Sequence, residues 1–366
     1  MWTTVRNGAT ALVVALTLTG CDTGTGPADP TGFDAEGALE DYEVLASVLE
    51  SSELAALGGL SGRTPFAASV RNLSALGDPG ALRSRADGRR YVAELARTLL
   101  AASPARTDGP HAAPVISGFR RGTTFVYDPT SGEYQPDPDR SGAPANGVRF
   151  ILYEQGADGT PQVGEEVGYA DLLDEGDGSA EDVALRVRVV REEEAVLDYL
   201  TTVDWAPGRA AITAEGFVQG DRGRLDFDVK LRGSDGNGLR ESELLFDLAV
   251  DSRSLSVTGR VQGTDEGGDD MGEVELEIRH GSDVLGVTTS GENGVLDGSV
   301  AVNGEPFAVF QGPEGDLDIT APDGSALTWA EGLALQRAVD VVEDVFDLVE
   351  DLLDPVDEIV LLGIIL

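Results

Sequence analysis

Acid–base, nucleophilic and metal chemistry draw on a short inventory of side chains, and in this 366-residue sequence that inventory is lopsided. It holds two histidines, His111 and His280, one cysteine, Cys21, and 66 aspartates and glutamates. His111 falls in a proline-rich run and His280 closes an alternating apolar run beside Gly281, so both are expected to be exposed. A Ser-His-Asp triad or a histidine zinc site has little to build from. The chain contains no Gly-x-Ser-x-Gly elbow, no Gly-Lys-Ser/Thr phosphate loop and no Gly-x-Gly-x-x-Gly opening a helix. Carboxylates are the abundant reagent. Paired, they serve general acid–base hydrolysis, but their number lets no pair stand out. Two acidic loops, Asp174 to Asp182 and Asp265 to Asp270, offer oxygen ligands of the kind calcium takes. Neither has the EF-hand spacing, and solvated turns of this composition are commoner. No catalytic residue, metal ligand or cofactor is assigned.

Cys21 ends a different kind of signal. Arg6 is the one positive charge of a short leader, Ala9 to Leu18 is an apolar run, and small residues precede the cysteine. The run is well short of the roughly 20 apolar residues that a spanning helix needs, which points to an export signal. Leu18-Thr19-Gly20-Cys21 resembles the lipobox of bacterial lipoproteins. That resemblance implies cleavage before Cys21 by the lipoprotein signal peptidase, with acyl chains on its sulfur and its new amino group. A lone thiol in an oxidising compartment is a liability. Acylation removes it and adds about 0.8 kcal/mol of membrane affinity per buried CH₂. The partner implied is a membrane of the bacterial cell envelope, held through Cys21; whether inner membrane, outer membrane or cell surface stays open. Asp22-Thr23-Gly24 matches the tripeptide of aspartic proteases, but that chemistry needs two such carboxylates and the chain has one such tripeptide.

Against the 66 acidic residues stand 26 basic ones, of which Lys230 is the single lysine, for a formal charge of −40 and a pI near 4.1. Nucleic acid is excluded as a partner, because its phosphates require a positive footprint. A high-GC genome or a salty habitat produces such a balance without any site. The functional reading is a surface for cations or for a cationic partner. With 41% hydrophobic residues the chain can bury a sizeable core.

The elements that must position these groups change along the chain. Residues 1–20 read as the signal peptide and 21–36 as the lipidated cysteine with a Gly/Pro-rich tether. Residues 37–103 read as helical: Leu39, Tyr42, Leu45, Val48 and Leu49 recur near helical period, as do Tyr91, Val92, Leu95, Leu99 and Leu100. Residues 104–114 are a linker. From 115 to 324 the period drops to two. Leu225, Phe227, Val229 and Leu231 alternate with charges, and the runs Leu244 to Val250 and Val274 to Ile278 do the same between Gly/Asp/Asn turns. Roughly twelve antiparallel strands are expected there. Gly216-Phe-Val-Gln-Gly220 and Gly259-Arg-Val-Gln-Gly263 echo each other, with Gly298 to Gly304 a looser third. The echo reads as shared strand-and-turn grammar, since the sequence between does not repeat. Residues 325–366 are an amphipathic helix and an apolar tail, with Leu335, Val339, Val342, Phe346 and Val349 on one stripe.

The expected fold is α+β, mainly β: a large curved antiparallel meander, half-barrel-like, with N- and C-terminal helices packed on its apolar face and residues 37–366 forming one unit. The layout is similar to the half-barrels of bacterial lipid and lipoprotein carriers, in layout alone, with no shared motif. The expected role is a membrane-anchored exported lipoprotein acting as a non-catalytic structural or interaction module with a protein partner. The alternative is a carrier of lipid or another hydrophobic ligand between sheet and helices; a third reading is a carboxylate-based hydrolase. Two sets of residues separate the first two. Phe227, Phe246, Phe310 and Phe346 fill the interior in one, whereas small residues such as Ala334 and Ala338 leave room in the other.

Overall fold

The computed structural model describes Gly37, Ile116 and residues 118–336, apart from short segments at 157–158, 177–181, 221–222, 237–238, 251–253, 267–268, 293 and 314–316. The lipobox residues Leu18, Thr19, Gly20 and Cys21, the helical runs after Gly37, His111 and the apolar stripe beyond Gln336 lie outside the described residues.

Fifteen strands follow one another. The first are β1 (Thr123–Asp128), β2 (Glu133–Pro136), β3 (Gly147–Gln155) and β4 (Pro161–Asp174). The long central set is β5 (Asp182–Arg191), β6 (Glu194–Ala206), β7 (Arg209–Gly220), β8 (Gly223–Gly236), β9 (Leu239–Val250), β10 (Leu255–Glu266) and β11 (Asp269–His280). Then come β12 (Asp283–Glu292), β13 (Val295–Val302), β14 (Glu305–Pro313) and β15 (Asp318–Thr320). A helix, α1, occupies residues 329–336. The strand count exceeds the expected twelve for a physical reason. β2 lies inside a Pro/Gly-rich stretch, and β7 turns Ala210, Ala214 and Gly216 inward, so its hydrophobic alternation is muted.

The chain is mainly β, and its strands form one large open sheet. From β3 to β15 each strand pairs antiparallel with the next along the chain, while β1 sits between β2 and β3 and runs parallel to β3. Both edges are short: β15 has three residues, and β2 has four and ends in Pro136, which has no N–H to offer another strand. Tight turns set the register. At Asn303-Gly304 both residues take positive φ, 53° and 81°, the geometry whose twist matches a two-residue hairpin.

In-register pairing lines side chains up across strands. One row runs Leu185, Thr201, Ala214, Val229, Phe246, Gly259, Leu276, Val287 and Val300. The adjacent inward row runs Val187, Tyr199, Gly216, Phe227, Leu248, Val257, Ile278, Leu285 and Val302. These rows belong to one buried cluster, and the residues between them on each strand face the other side. The echoed glycines sit here. Phe246 lies on Gly259 and Phe310 on Gly298 so closely that a Cβ at either glycine would clash with the ring edge. Strand β3 is buried on both faces: the rings of Phe125 and Phe150 stack at 5.1 Å, and the Tyr134 hydroxyl donates to the Ile151 carbonyl at 3.1 Å. Helix α1 begins in a capping box. The Thr328 N–H donates to the Glu331 carboxylate at 2.7 Å, and the Glu331 N–H donates back to Thr328 Oγ1 at 3.3 Å. One turn on, Leu335 is buried in the same cluster as the sheet.

Candidate functional site

Alternation leaves a wet face opposite the apolar one, and its charges fall into two regimes. Across β5–β10 arginines answer several of the carboxylates. Arg232 and Arg260 reach Glu243 from the strands on either side, at 3.0 and 2.8 Å. Arg186 binds Asp198 at 2.6 Å, and Arg224 binds Asp226 at 2.6 Å while lying over the Phe217 ring. Burial pushes the Glu243 carboxyl up, but hydrogen bonds from Arg260 and Arg232 outweigh it and hold the group below its ordinary value. At the β4 edge, the Arg140 hydrogen bond holds Glu166 low in the same way.

Across β11–β15 the second regime begins. An open groove of about 470 Å³ crosses these five strands. Two rows line it: Glu275, Thr288, Ser299, Val309 and Thr320, and beside them Glu273, Ser290, Asp297, Gln311 and Asp318. The Thr288 and Ser299 hydroxyls share a hydrogen bond of 2.9 Å. No lysine or arginine lines the groove, and among the described residues its four carboxylates have no basic partner. This array can accept hydrogen bonds and favours positive charge. It offers no nucleophile–base pair.

On the apolar face, the hydroxyls of Tyr199 and Thr201 are buried without a hydrogen-bond partner, and burial drives Tyr199 ionisation well above its usual range. At the β1–β4 end charged groups hold elements together, while the buried Thr124 hydroxyl has no hydrogen-bond partner. The Arg149 guanidinium grips Asp171 through two bonds of 2.7 Å and lies 3.6 Å from the centre of the Tyr169 ring. The Asp174 carboxylate accepts from Arg121 at 2.7 Å and from the Ile116 N–H at 3.5 Å.

Of the residues nominated from sequence, Leu18 to Cys21 are outside the description, as are residues 177–181 of the first acidic loop and the side chains of Asp265 to Asp270. The two loops join β4 to β5 and β10 to β11, at the same end of the sheet but six strands apart. Asp174, the first residue of the first loop, is taken by Arg121. Among the described residues no three His, Cys, Asp or Glu side chains gather as metal ligands. His280 departs from expectation: it is half-buried, because it pairs with Leu255 on one side and Asp283 on the other. The groove was not nominated. Its signal was present all the same, in strands rich in Ser, Thr, Asp and Glu and a run from His280 to Gln336 without lysine or arginine.

No protein-family model, curated protein or solved structure matches this chain. No described helix is long and apolar enough to cross a membrane, which leaves crossing by strands untouched.

Proposed function

We propose that the chain is a lipid-anchored, non-catalytic interaction module of the bacterial cell envelope. The anchor reading rests on Leu18-Thr19-Gly20-Cys21 and the apolar run before it. The module reading rests on one observation: aromatic rings occupy the apolar face. Phe246 and Phe310 press onto strand glycines, and Phe227 is buried beside Tyr199. A face filled by its own rings has little room for cargo, so the wet face and its groove meet partners. The helical runs of 37–103 and the stripe that begins at Leu335 are the natural cover for the apolar face, which gives the sheet a half-barrel curvature around them. A general acid needs a carboxyl raised above its ordinary value, whereas Glu166, Glu243 and Glu331 are held below theirs.

A carrier of hydrophobic ligand is the second reading, and the unpartnered hydroxyls of Tyr199 and Thr201 favour it. Native mass spectrometry of the chain from Asp22 onward, purified without detergent, separates the two. The module reading expects the apo mass, unchanged by incubation with membrane lipids. A co-purified lipid of defined mass would overturn it in favour of the carrier. For the anchor, Cys21→Ser in a bacterial host is expected to move the chain out of the membrane fraction; a variant that stays there sinks that part of the proposal.

A further inference from the structure

We infer that the groove across β11–β15 docks a basic, extended peptide segment of a partner protein; this rests on the interaction-module reading and names the partner's chemistry. The first reason is charge. Asp198 and Glu243 are met by arginines from neighbouring strands, but among the described residues the groove's four carboxylates are met by none, and β12 to β15 contain no lysine or arginine. An occupant that brings positive charge makes ion pairs here without displacing existing ones.

The second reason is spacing. Glu273, Asp297 and Asp318 share one row on alternate strands, β11, β13 and β15, so about 10 Å separates each from the next. Ser290 and Gln311 lie between them, uncharged and able to bond a peptide backbone. The row spans about 20 Å, the reach of roughly six extended residues. Arginine suits it better than lysine, because its planar fork pairs carboxylates through two bonds.

The third reason is the rim. In the neighbouring row at the hairpin ends, Met271 and Val295 flank Glu292, and they are 39% and 51% exposed although both are large and apolar. A segment mixing basic and apolar residues covers both features at once. Hydrophobic contact at the rim adds a part of the affinity that salt does not screen, while the ion pairs steer association and weaken as ionic strength rises.

The test uses the full chain in detergent and a fluorescein-labelled nonapeptide with arginine at every third position, read by anisotropy at 50 and 500 mM NaCl. The groove variant is Glu273→Gln/Asp297→Asn/Asp318→Asn. The control, Glu215→Gln/Asp228→Asn/Asp247→Asn, removes the same charge from a wet-face row on β7–β9. The inference expects at least a tenfold loss of affinity in the groove variant and less than twofold in the control. Equal losses would show attraction to the overall negative charge and overturn it, as would no binding to the unaltered chain. Should the groove variant fail to fold, Ser290→Arg/Gln311→Arg places competing charge in the groove and is expected to block the peptide; continued binding also overturns the inference. A clean apo mass with no peptide binding would leave the module reading standing and remove only this partner class.

Discussion

Tyr199 and Gly216 face each other across β6 and β7, and each makes a prediction about the other. A Cβ at Gly216 would collide with the Asp198 carbonyl and the Tyr199 backbone, neither of which can yield without breaking the ladder. Gly216→Ala is therefore expected to cost about 3 kcal/mol, at the upper end of overpacking effects, measured by denaturant unfolding. Gly259→Ala meets the Phe246 ring instead, and a smaller side chain relieves that. It should cost about 2 kcal/mol alone, and adding Phe246→Leu should recover a good part of the loss. A recovery of nothing would mean that the ring does not lie on that glycine. The Tyr199 hydroxyl is buried and unpartnered, so Tyr199→Phe should be neutral or mildly stabilising at pH 7. Its ionisation is raised from an ordinary value of 10.0, so the folded state keeps the proton where the unfolded chain releases it. The sign follows: this contribution is complete below about pH 10 and is lost as pH rises beyond it. Removing the hydroxyl should flatten the alkaline limb of a stability–pH curve, and an unchanged limb would place Tyr199 in contact with water.

Strands and helices carry a different kind of energy, spread over ladders and faces. Glu243 on β9 ties β8 and β10 through Arg232 and Arg260, whose side chains are about half exposed, so screening keeps the link weak. Glu243→Gln should cost about 0.5 kcal/mol near pH 7. Because the folded carboxyl lies below its ordinary value of 4.5, the difference from the unaltered chain should shrink as pH falls below that value and vanish in acid. Leu335 of α1 is buried in the same cluster as the strand residues, so Leu335→Ala should cost about 2 kcal/mol by thermal melting; a neutral result would place Leu335 outside the core. Legibility in the sequence follows the same division. β8, β9 and β11 were plain because Leu, Val, Ile and Phe alternate with charges, which is the period of a half-wet strand. β7 was muted because Ala and Gly take inward positions, with Tyr199 beside Gly216, and β12 because only Leu285 and Val287 of its inward residues are large and apolar. The capping box at Thr328 and Glu331 was readable from its spacing alone. The parallel insertion of β1 between β2 and β3 was not, since no local pattern encodes which distant strand a segment joins. The groove was half readable: its missing cations are a fact of sequence, but its two rows exist only once register sets five strands side by side.

For the whole molecule, the decisive property is that charge and compensation are unevenly distributed along one sheet. A formal charge of −40 repels itself, and the strain is greatest where no cation sits nearby. Across β8–β10 arginines interrupt the negative field, while from β12 to β15 nothing does. The outermost strand there, β15, holds β14 through only three residue pairs, Val309 with Thr320, Phe310 with Ile319 and Gln311 with Asp318. Few ladder bonds and unscreened repulsion act on the same end, so that end should open first. At 10 mM salt the Debye length is about 30 Å and all of these carboxylates feel one another; at 1 M it is about 3 Å and they do not. Hydrogen exchange should therefore show amides of Val309 to Gln311 gaining protection as NaCl rises from 10 mM to 1 M. Amides of Val229 and Leu244, deep in β8 and β9, should change far less. A uniform gain along the sheet would mean that the charge acts on the molecule as a whole, and that the arginines on β8–β10 do not shelter their strands. A gain confined to β14 and β15 would tie the least stable end of the fold to a stretch of wet face that carries no cation of its own, where a basic partner would also stabilise it most.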